Sequence, residues 1–354
     1  MLRDLVNSPE STIATETVSV TVILPMRNAE KDISRCINAI LANDYPSGQV
    51  EIIVVDSMST DASPDLVRSY ANRHSFIRFL VNPKKLVSVS LNMGLDAAQG
   101  GVIIRADARS VMESDYISRA VKLLCTTDAL NVGGPQRATG ASYLTRAVAL
   151  ATNSPYAIGD ARLRNAQKEK WVDGIYLGAW WRETLESLGG FDGDLAYDEN
   201  YDLSLRLRRR RMRGKAFYSP SLRSSYRVRG SIPSFIKTYV GYGYGMARAI
   251  KRQPDALRPS QLAAPGVVLM LMISGLFALY SWPSGIVAPA FYILHSLVTS
   301  RRITHIRRYQ ISMPLVLITL HICWGTGFIA GIIRWGIPRR RTRSLLKAMA
   351  RRGP

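Results

Sequence analysis

Acidic residues are scarce in this sequence: 26 Asp and Glu stand against 47 Lys and Arg, a formal charge of +21 over 354 residues. That imbalance excludes an acidic, cation-buffering chain and calls for an anionic partner, with nucleic acid and anionic lipid the two candidates. Cysteine is nearly absent. Cys36, Cys125 and Cys323 are isolated and odd in number, which points away from a disulfide framework or a thiolate zinc site and toward reduced thiols. The four histidines, His74, His295, His305 and His321, show no ligand spacing. The first 18 residues carry Arg3, Asp4, Glu10 and Glu16 and no apolar run, so no signal peptide is expected.

Charge is absent altogether from two stretches, Pro259 to Ser300 and Tyr309 to Ile333. A soluble domain seldom leaves such runs uncharged, whereas a bilayer core about 30 Å thick requires them. Basic residues crowd around them. Arg248, Lys251, Arg252 and Arg258 precede the first stretch, and Arg301, Arg302, Arg307 and Arg308 lie between the two. Arg334, Arg339, Arg340, Arg341, Arg343, Lys347, Arg351 and Arg352 follow the second. Each basic residue near anionic lipid contributes roughly 1 kcal/mol, so this placement favours a membrane surface and predicts no nucleic acid partner. Trp282 to Gly285 divides the first stretch into two segments, Gly266 to Tyr280 and Ile286 to Ser300. Both are short for full spans, and a hairpin of tight or re-entrant helices is expected. Leu315 to Ile333 makes a third segment. Three crossings would put the arginine-rich tail opposite the rest of the chain, against the positive-inside tendency; a second turn at Trp324 to Gly327 would restore an even number.

The first two thirds alternate short apolar runs with helical patterns, the mark of a mainly parallel α/β sheet. Strands are expected at Val18 to Pro25, Val50 to Asp56, Ile77 to Val81 and Val102 to Asp107, with helices at Ala29 to Ala42, Ser63 to Asn72 and Ser88 to Ala98. Farther on, strands are expected at Leu130 to Pro135 and Gly174 to Ala179, and helices at Arg182 to Leu188 and Tyr201 to Arg211. Ile232 to Ile250 places Ile232, Phe235, Ile236, Tyr239, Val240, Gly243, Met246, Ala247 and Ile250 on one helical face, as an interfacial amphipathic helix would. Glycines 241, 243 and 245 work against that helix by about 1 kcal/mol each. Open parallel sheets bind ligands at the carboxyl ends of their strands, and both Asp56 and Asp107 fall there.

Pro25-Met26-Arg27-Asn28, Asp56 in VDSMSTD, Asn92 and Gly94 in SLNMGLDAAQG, and Asp107 in RADARS occur in that order. The set resembles the family 2 inverting glycosyltransferases with a GT-A fold. VDGIYLGAWWRETLESLGGFDGDL and ENYDLSLRLRRR look like that family's acceptor-side segments. The stretch from Tyr218 to Pro254 is closer to the succinoglycan-type, ExoA-like branch with C-terminal membrane helices. The resemblance covers roughly Val18 to Pro338. It implies a nucleotide-sugar site formed by Pro25, Arg27, Asn28, Asp56, Lys84, Asn92, Asp107 and Arg109. Asp56 suits a uracil base because a carboxylate accepts the donors a base offers; it equally suits a cap of its own turn through Ser57 or Ser59. Asp61 reads as a helix cap. Lys84 and Lys85 lie near phosphate or in a solvated loop, and Arg27 is open between the same two readings. Gly133-Gly134-Pro135 is a tight turn beneath the donor sugar or a plain loop. Trp180 and Trp181 suit stacking on an acceptor sugar or packing in the core, with core packing expected of one of the two.

Two departures stand out. The family commonly has an acid, or in the near branch a histidine, two positions after the first aspartate of its D-x-D motif; this chain has Arg109. Either Asp107 holds Mg²⁺ or Mn²⁺ together with diphosphate oxygens and water, or Arg109 itself neutralises the diphosphate. Inversion also needs a general base for the acceptor hydroxyl, which the family places where this chain has Asn200, a residue that cannot act as one. Glu199 or Asp198 reaching in, Asp202 serving instead, or a chain impaired at position 200 remain open. Glu199 and Asp202 can also pair with Arg206 at helical spacing. The Q-x-x-R-W motif of processive synthases is missing, which favours transfer of a single sugar.

The expected architecture is thus a GT-A α/β domain over residues 1–229, an amphipathic segment over 230–258, membrane helices over 259–338 and a basic tail over 339–354. The expected enzyme is a multi-pass protein of the inner (plasma) membrane with its catalytic domain in the cytoplasm. It would move a hexose, glucose by resemblance, from a UDP-sugar to a lipid-linked (polyprenyl) saccharide. The rivals are a polyprenyl-phosphate glycosyltransferase and a nucleotide-sugar-binding scaffold that has lost catalysis.

Overall fold

The computed structural model describes residues 18–156, 163, 165–172, 174–175, 177–194, 199–209, 216–252, 257 and 259–336. Its centre is a sheet in which β1 (Val20–Met26), β2 (Val50–Asp56), β3 (Ile77–Val81) and β4 (Val102–Arg105) pair in parallel in the order β3-β2-β1-β4. β9 (Ala179–Trp181) pairs antiparallel to β4 and extends the sheet through β6 (Asn131–Gly133), β10 (Ala216–Tyr218) and β8 (Lys170–Val172). A second, three-stranded sheet joins β5 (Ser110–Met112), β11 (Ser224–Arg227) and β7 (Gln136–Thr139).

Strand side chains point alternately to the two faces, and both faces are covered. Val20, Val22 and Leu24 of β1 with Ile52 and Val54 of β2 pack under α1 (Ile33–Leu41), α2 (Ser63–Arg73) and α4 (Tyr116–Thr126). Ile23, Ile53 and Val55 face the other way, onto α3 (Val87–Ala97), α6 (Arg182–Ser187) and α7 (Glu199–Arg209), where Leu91, Leu185 and Leu203 are fully enclosed. This two-sided burial explains why β1 and β2 read as unbroken apolar runs. Trp180 lies in that second core, and Trp181 packs at the edge of the first.

The expected elements hold to within a few residues, with two shifts. The strand expected over 174–179 begins at Ala179, the residue that pairs with Ile104. β4 ends at Arg105 rather than Asp107, because the Asp107 carbonyl accepts from the Ser110 N–H (2.7 Å) and hydroxyl (2.6 Å) in a tight turn out of the ladder.

The C-terminal third is helical. α8 (Ile232–Arg252) is continuous despite its glycines, and runs parallel to the last helix, α11 (Arg307–Trp335). The glycines are what let the two backbones meet. A Cβ at Gly243 would lie 2.0 Å from the Trp324 carbonyl oxygen, and one at Gly327 would lie 2.1 Å from that of Val240. The small-residue face of α8 therefore rests on α11. α9 (Ala263–Tyr280) and α10 (Trp282–Ile303) form the expected hairpin about Ser281, pinned by Ser274 Oγ donating to the Gly285 carbonyl (2.7 Å). Both are longer than expected: α9 takes in Ala263 to Pro265, and α10 takes in Trp282 to Gly285 and Arg301 to Ile303.

The second turn expected at Trp324 to Gly327 is not there: α11 runs unbroken through it, with Gly325 and Gly327 packed on α9 and α8 instead of bending the chain. The segment 259–280 and α11 are each long and apolar enough to cross a membrane. α11 also touches the sheet domain directly. Its Tyr309, Met313, Val316, Leu317 and Leu320 pack on Ala147, Val148 and Ala151 of α5 (Tyr143–Asn153) and on Phe235. The expected basic tail, 339–354, lies outside the described residues.

Candidate active site

In the strand order β3-β2-β1-β4 the chain leaves β1 toward one edge and reaches β4 on the other side, so a crevice opens between the carboxyl ends of β1 and β4. The loop after β1 and the loop after β2 form one wall. Asn28, in a left-handed conformation (φ 49°) that asparagine tolerates, accepts at Oδ1 from the Thr60 N–H (2.8 Å) and donates its own N–H to Ser59 Oγ (2.8 Å). Asp61 binds across the same gap, accepting from the Glu30 N–H (3.1 Å) and the Ser63 N–H (3.0 Å). Burial would raise its pKa, but the Ser63 hydroxyl and these backbone donors outweigh it, and the group sits below the ordinary carboxylate value.

Asp56, buried at the end of β2, accepts from the Ser59 N–H (3.1 Å to Oδ2) and from the Ser59 hydroxyl. The cap foreseen as its alternative role is thus formed, through Ser59. Behind it, Ser57 Oγ and Asn82 Nδ2 both meet Ser90 Oγ at 2.9 Å, tying α3 to the strand ends. Pro25 is buried within β1, whereas Arg27, Lys84 and Lys85 are exposed at the rim.

Asn92 turns away from the crevice. Its Nδ2 donates to the Phe191 carbonyl (2.8 Å) and its Oδ1 accepts from the Phe191 N–H (2.8 Å), a two-point latch between α3 and the segment after α6. Arg109 also points elsewhere, with Nη1 donating to the Arg227 carbonyl of β11 (3.2 Å).

Asp107 stands just past β4 with its carboxylate partly exposed. Buried Arg105 donates to Asp107 Oδ1 through Nε and Nη2, both at 3.2 Å, and to Glu199 Oε1 through Nη1 at 2.6 Å. Sequence reasoning named both carboxylates and passed over the arginine between them. The only signal was a charged residue inside an apolar strand, VIIR. Asp202, three residues on in α7, pairs with Arg206 (2.8 Å), whose other donors hold the carbonyls of Leu188 and Gly190. Glu199 is thus buried and linked to Asp107 through Arg105, while Asp202, through Arg206, braces the turn after α6. Asn200 follows in the first turn of α7, and Asp198 lies outside the described residues.

Among the described residues no cluster of three or more His, Cys, Asp or Glu is placed to hold a metal ion. A single partly exposed carboxylate at the mouth of the crevice does suit a cation shared with phosphate oxygens, which Mg²⁺ commonly adopts. The residues fit a cation of that shared kind and no all-protein cage.

Residues 21–184 match the family described as Glycosyl transferase family 2. Along most of its length the chain is also similar to the succinoglycan biosynthesis protein ExoA of Rhizobium meliloti (strain 1021), with 24% identity over 322 residues, 88% of this chain and 94% of ExoA. The chain carries a family 2 glycosyltransferase domain over residues 21–184. This glycosyltransferase is likewise 24% identical over 328 residues to a dolichyl N-acetyl-α-D-glucosaminyl phosphate diacetamido-dideoxy-glucuronosyltransferase of Methanococcus voltae, covering 89% of this chain and 97% of that one. Among solved structures, the mannosyltransferase PcManGT of Pyrobaculum calidifontis, in complex with GDP-Man and Mn²⁺, superposes with a TM-score of 0.54 at 21% identity. The match covers 87% of the glycosyltransferase and 88% of PcManGT. The fold is GT-A, as expected.

Proposed function

We propose that this glycosyltransferase moves a hexose, glucose by resemblance, from a UDP-sugar with inversion to a lipid-linked saccharide at the membrane surface. The observation that carries the reading is the meeting of Asp107, beside the β1/β4 crevice, with Glu199, at the head of the acceptor-side helix, through one guanidinium. Donor and acceptor chemistry need carboxylates on the two sides of one crevice. In the reaction an acceptor hydroxyl oxygen bonds to the anomeric carbon, the bond from that carbon to the diphosphate breaks, and the hydroxyl proton passes to Glu199. Asp56 lies at the base edge, and Asp107 would hold Mg²⁺ or Mn²⁺. A cation there would neutralise charge developing on the leaving diphosphate. Arg27 and Lys84, exposed at the rim, supply positive charge on the approach.

A lipid-linked acceptor is supported by the direct packing of α11 on α5 and by the dolichyl-linked substrate in the name of the Methanococcus relative. A multi-pass arrangement with the sheet domain on the cytoplasmic side is supported by the apolar segments and the arginines that flank them.

The test is nucleotide release by purified, detergent-solubilised protein given UDP-glucose or GDP-mannose, Mg²⁺ or Mn²⁺, and lipid extract. Release from UDP-glucose that needs both metal and lipid, and is lost in Asp107→Ala, is the expected result. Turnover with GDP-mannose alone overturns the donor assignment. Binding without turnover of either donor overturns the enzymatic reading in favour of a scaffold.

A further inference from the structure

We infer that Arg105 is a positioning residue that couples the donor-side carboxylate to the acceptor-side carboxylate, so that what happens at Glu199 is felt at Asp107. The inference rests on the reading of these two groups proposed above. Arg105 is 5% exposed, and its backbone is fixed in β4 opposite Ile23 of β1. Its N–H also donates to the Gly178 carbonyl (3.2 Å). A buried guanidinium is tolerated only where carboxylates and hydrogen bonds compensate it. Here two carboxylates share it, one 2 and one 94 positions along the chain, with the Nε/Nη2 edge on Asp107 and Nη1 on Glu199. The planar fork of arginine permits this division; a lysine ammonium, a single point on a flexible stem, could not face both groups with fixed geometry.

Sharing has a directional consequence. While Glu199 carries its charge, it draws Arg105 toward α7 and weakens its hold on Asp107, which favours the approach of a cation and diphosphate. Removing the Glu199 charge shifts more of the guanidinium's compensation onto Asp107. Arg105 then competes with a cation for Asp107. Glu199 therefore tunes nucleotide–metal affinity without touching the nucleotide.

The experiment is equilibrium binding of UDP in the presence of Mn²⁺ by the full chain in detergent, for wild type, Glu199→Gln, Arg105→Met and the double variant, with Arg105→Lys in case Arg105→Met does not fold. The neutral, isosteric Glu199→Gln should weaken UDP–Mn²⁺ binding by roughly fivefold to tenfold, within the range in which groups of one network couple. In the Arg105→Met or Arg105→Lys background the same change should have no effect. Unaltered affinity in Glu199→Gln, or an equal loss whether or not Arg105 is present, overturns the coupling while leaving the donor site standing. Wild-type protein that binds neither UDP nor GDP with Mn²⁺ overturns the donor site itself, and the inference with it.

Discussion

The contact between α8 and α11 makes a quantitative prediction. A methyl group added at Gly327 would sit 2.1 Å from the Val240 carbonyl oxygen, and one added at Gly243 would sit 2.0 Å from that of Trp324; real Cβ atoms essentially never approach closer than 3.0 Å. The obstructing atoms are backbone, so no rotamer change relieves the clash, and the helices must part by about 1 Å along their shared seam. Overpacking of this kind costs about 1–3 kcal/mol. The two sites share one seam, so the double change should cost less than the sum. At roughly 2–4 °C per kcal/mol, Gly327→Ala should lower the apparent melting temperature by several degrees, followed by tryptophan fluorescence in detergent. Gly275→Ala in α9 is the control, because nothing lies within 4 Å of its added methyl. It should leave the melting temperature unchanged or raise it, alanine being the better helix former by up to about 1 kcal/mol. If Gly327→Ala melts with the wild type, or Gly275→Ala falls as far, close backbone packing is not what holds these helices together.

Four further outcomes are expected. Asn92→Ala orphans the Phe191 N–H and carbonyl and should destabilise the protein by about 1–3 kcal/mol, read as a lower urea midpoint. Glu199→Gln should cut transfer by about 10²–10⁴-fold, the usual worth of a general base, whereas Asn200→Asp should leave the rate close to wild type; the reverse pattern would assign the base to position 200. Burial, with the charge of Asp107 adding to it, pushes the Cys36 thiol up to about 12. The thiolate is the reactive form, so iodoacetamide at pH 8 should leave Cys36 unmodified in native protein and label it after unfolding. Its folded value lies above the unfolded one, so the preference for the protonated fold is complete below the unfolded value and is lost as pH rises toward 12. Finally, the chain should co-sediment with anionic vesicles more strongly at low salt than at high salt, through the arginines flanking α9 to α11; equal binding to neutral vesicles would remove the charge argument.

Much of the α/β domain was legible because periodicity reports burial. β1 and β2 are covered on both faces, so their apolar runs are continuous, and β2 and β3 fall where the pattern places them. For the same reason Asp56 could be placed at the end of its strand, and Asp107 within two residues of the end of β4. What the pattern concealed is long-range. The ion pair of Arg105 with Glu199 joins residues 94 positions apart, and nothing local announces that a charge in a buried strand has a partner on a later helix. Glycine misled in the opposite direction. At 243 and 327 it signals close backbone approach rather than helix breaking, and the signal becomes readable only when both helices are seen together. Arg109 could be recognised as a departure from the family pattern, but not as a side chain committed to β11.

The interlocked loops after β1 and β2 bear on how a nucleotide is received. Fixing a free backbone residue costs roughly 1–2 kcal/mol in lost entropy, and a ligand that must order two loops loses that much affinity for every residue it immobilises. Here Asn28, Glu30, Ser59, Asp61 and Ser63 have already traded those bonds across the gap. Folding, not binding, bears that ordering. On the proposed reading, a nucleotide base would meet a finished socket at this edge of the crevice, and selectivity there would be a matter of shape and hydrogen-bond match rather than of how readily the loops can close.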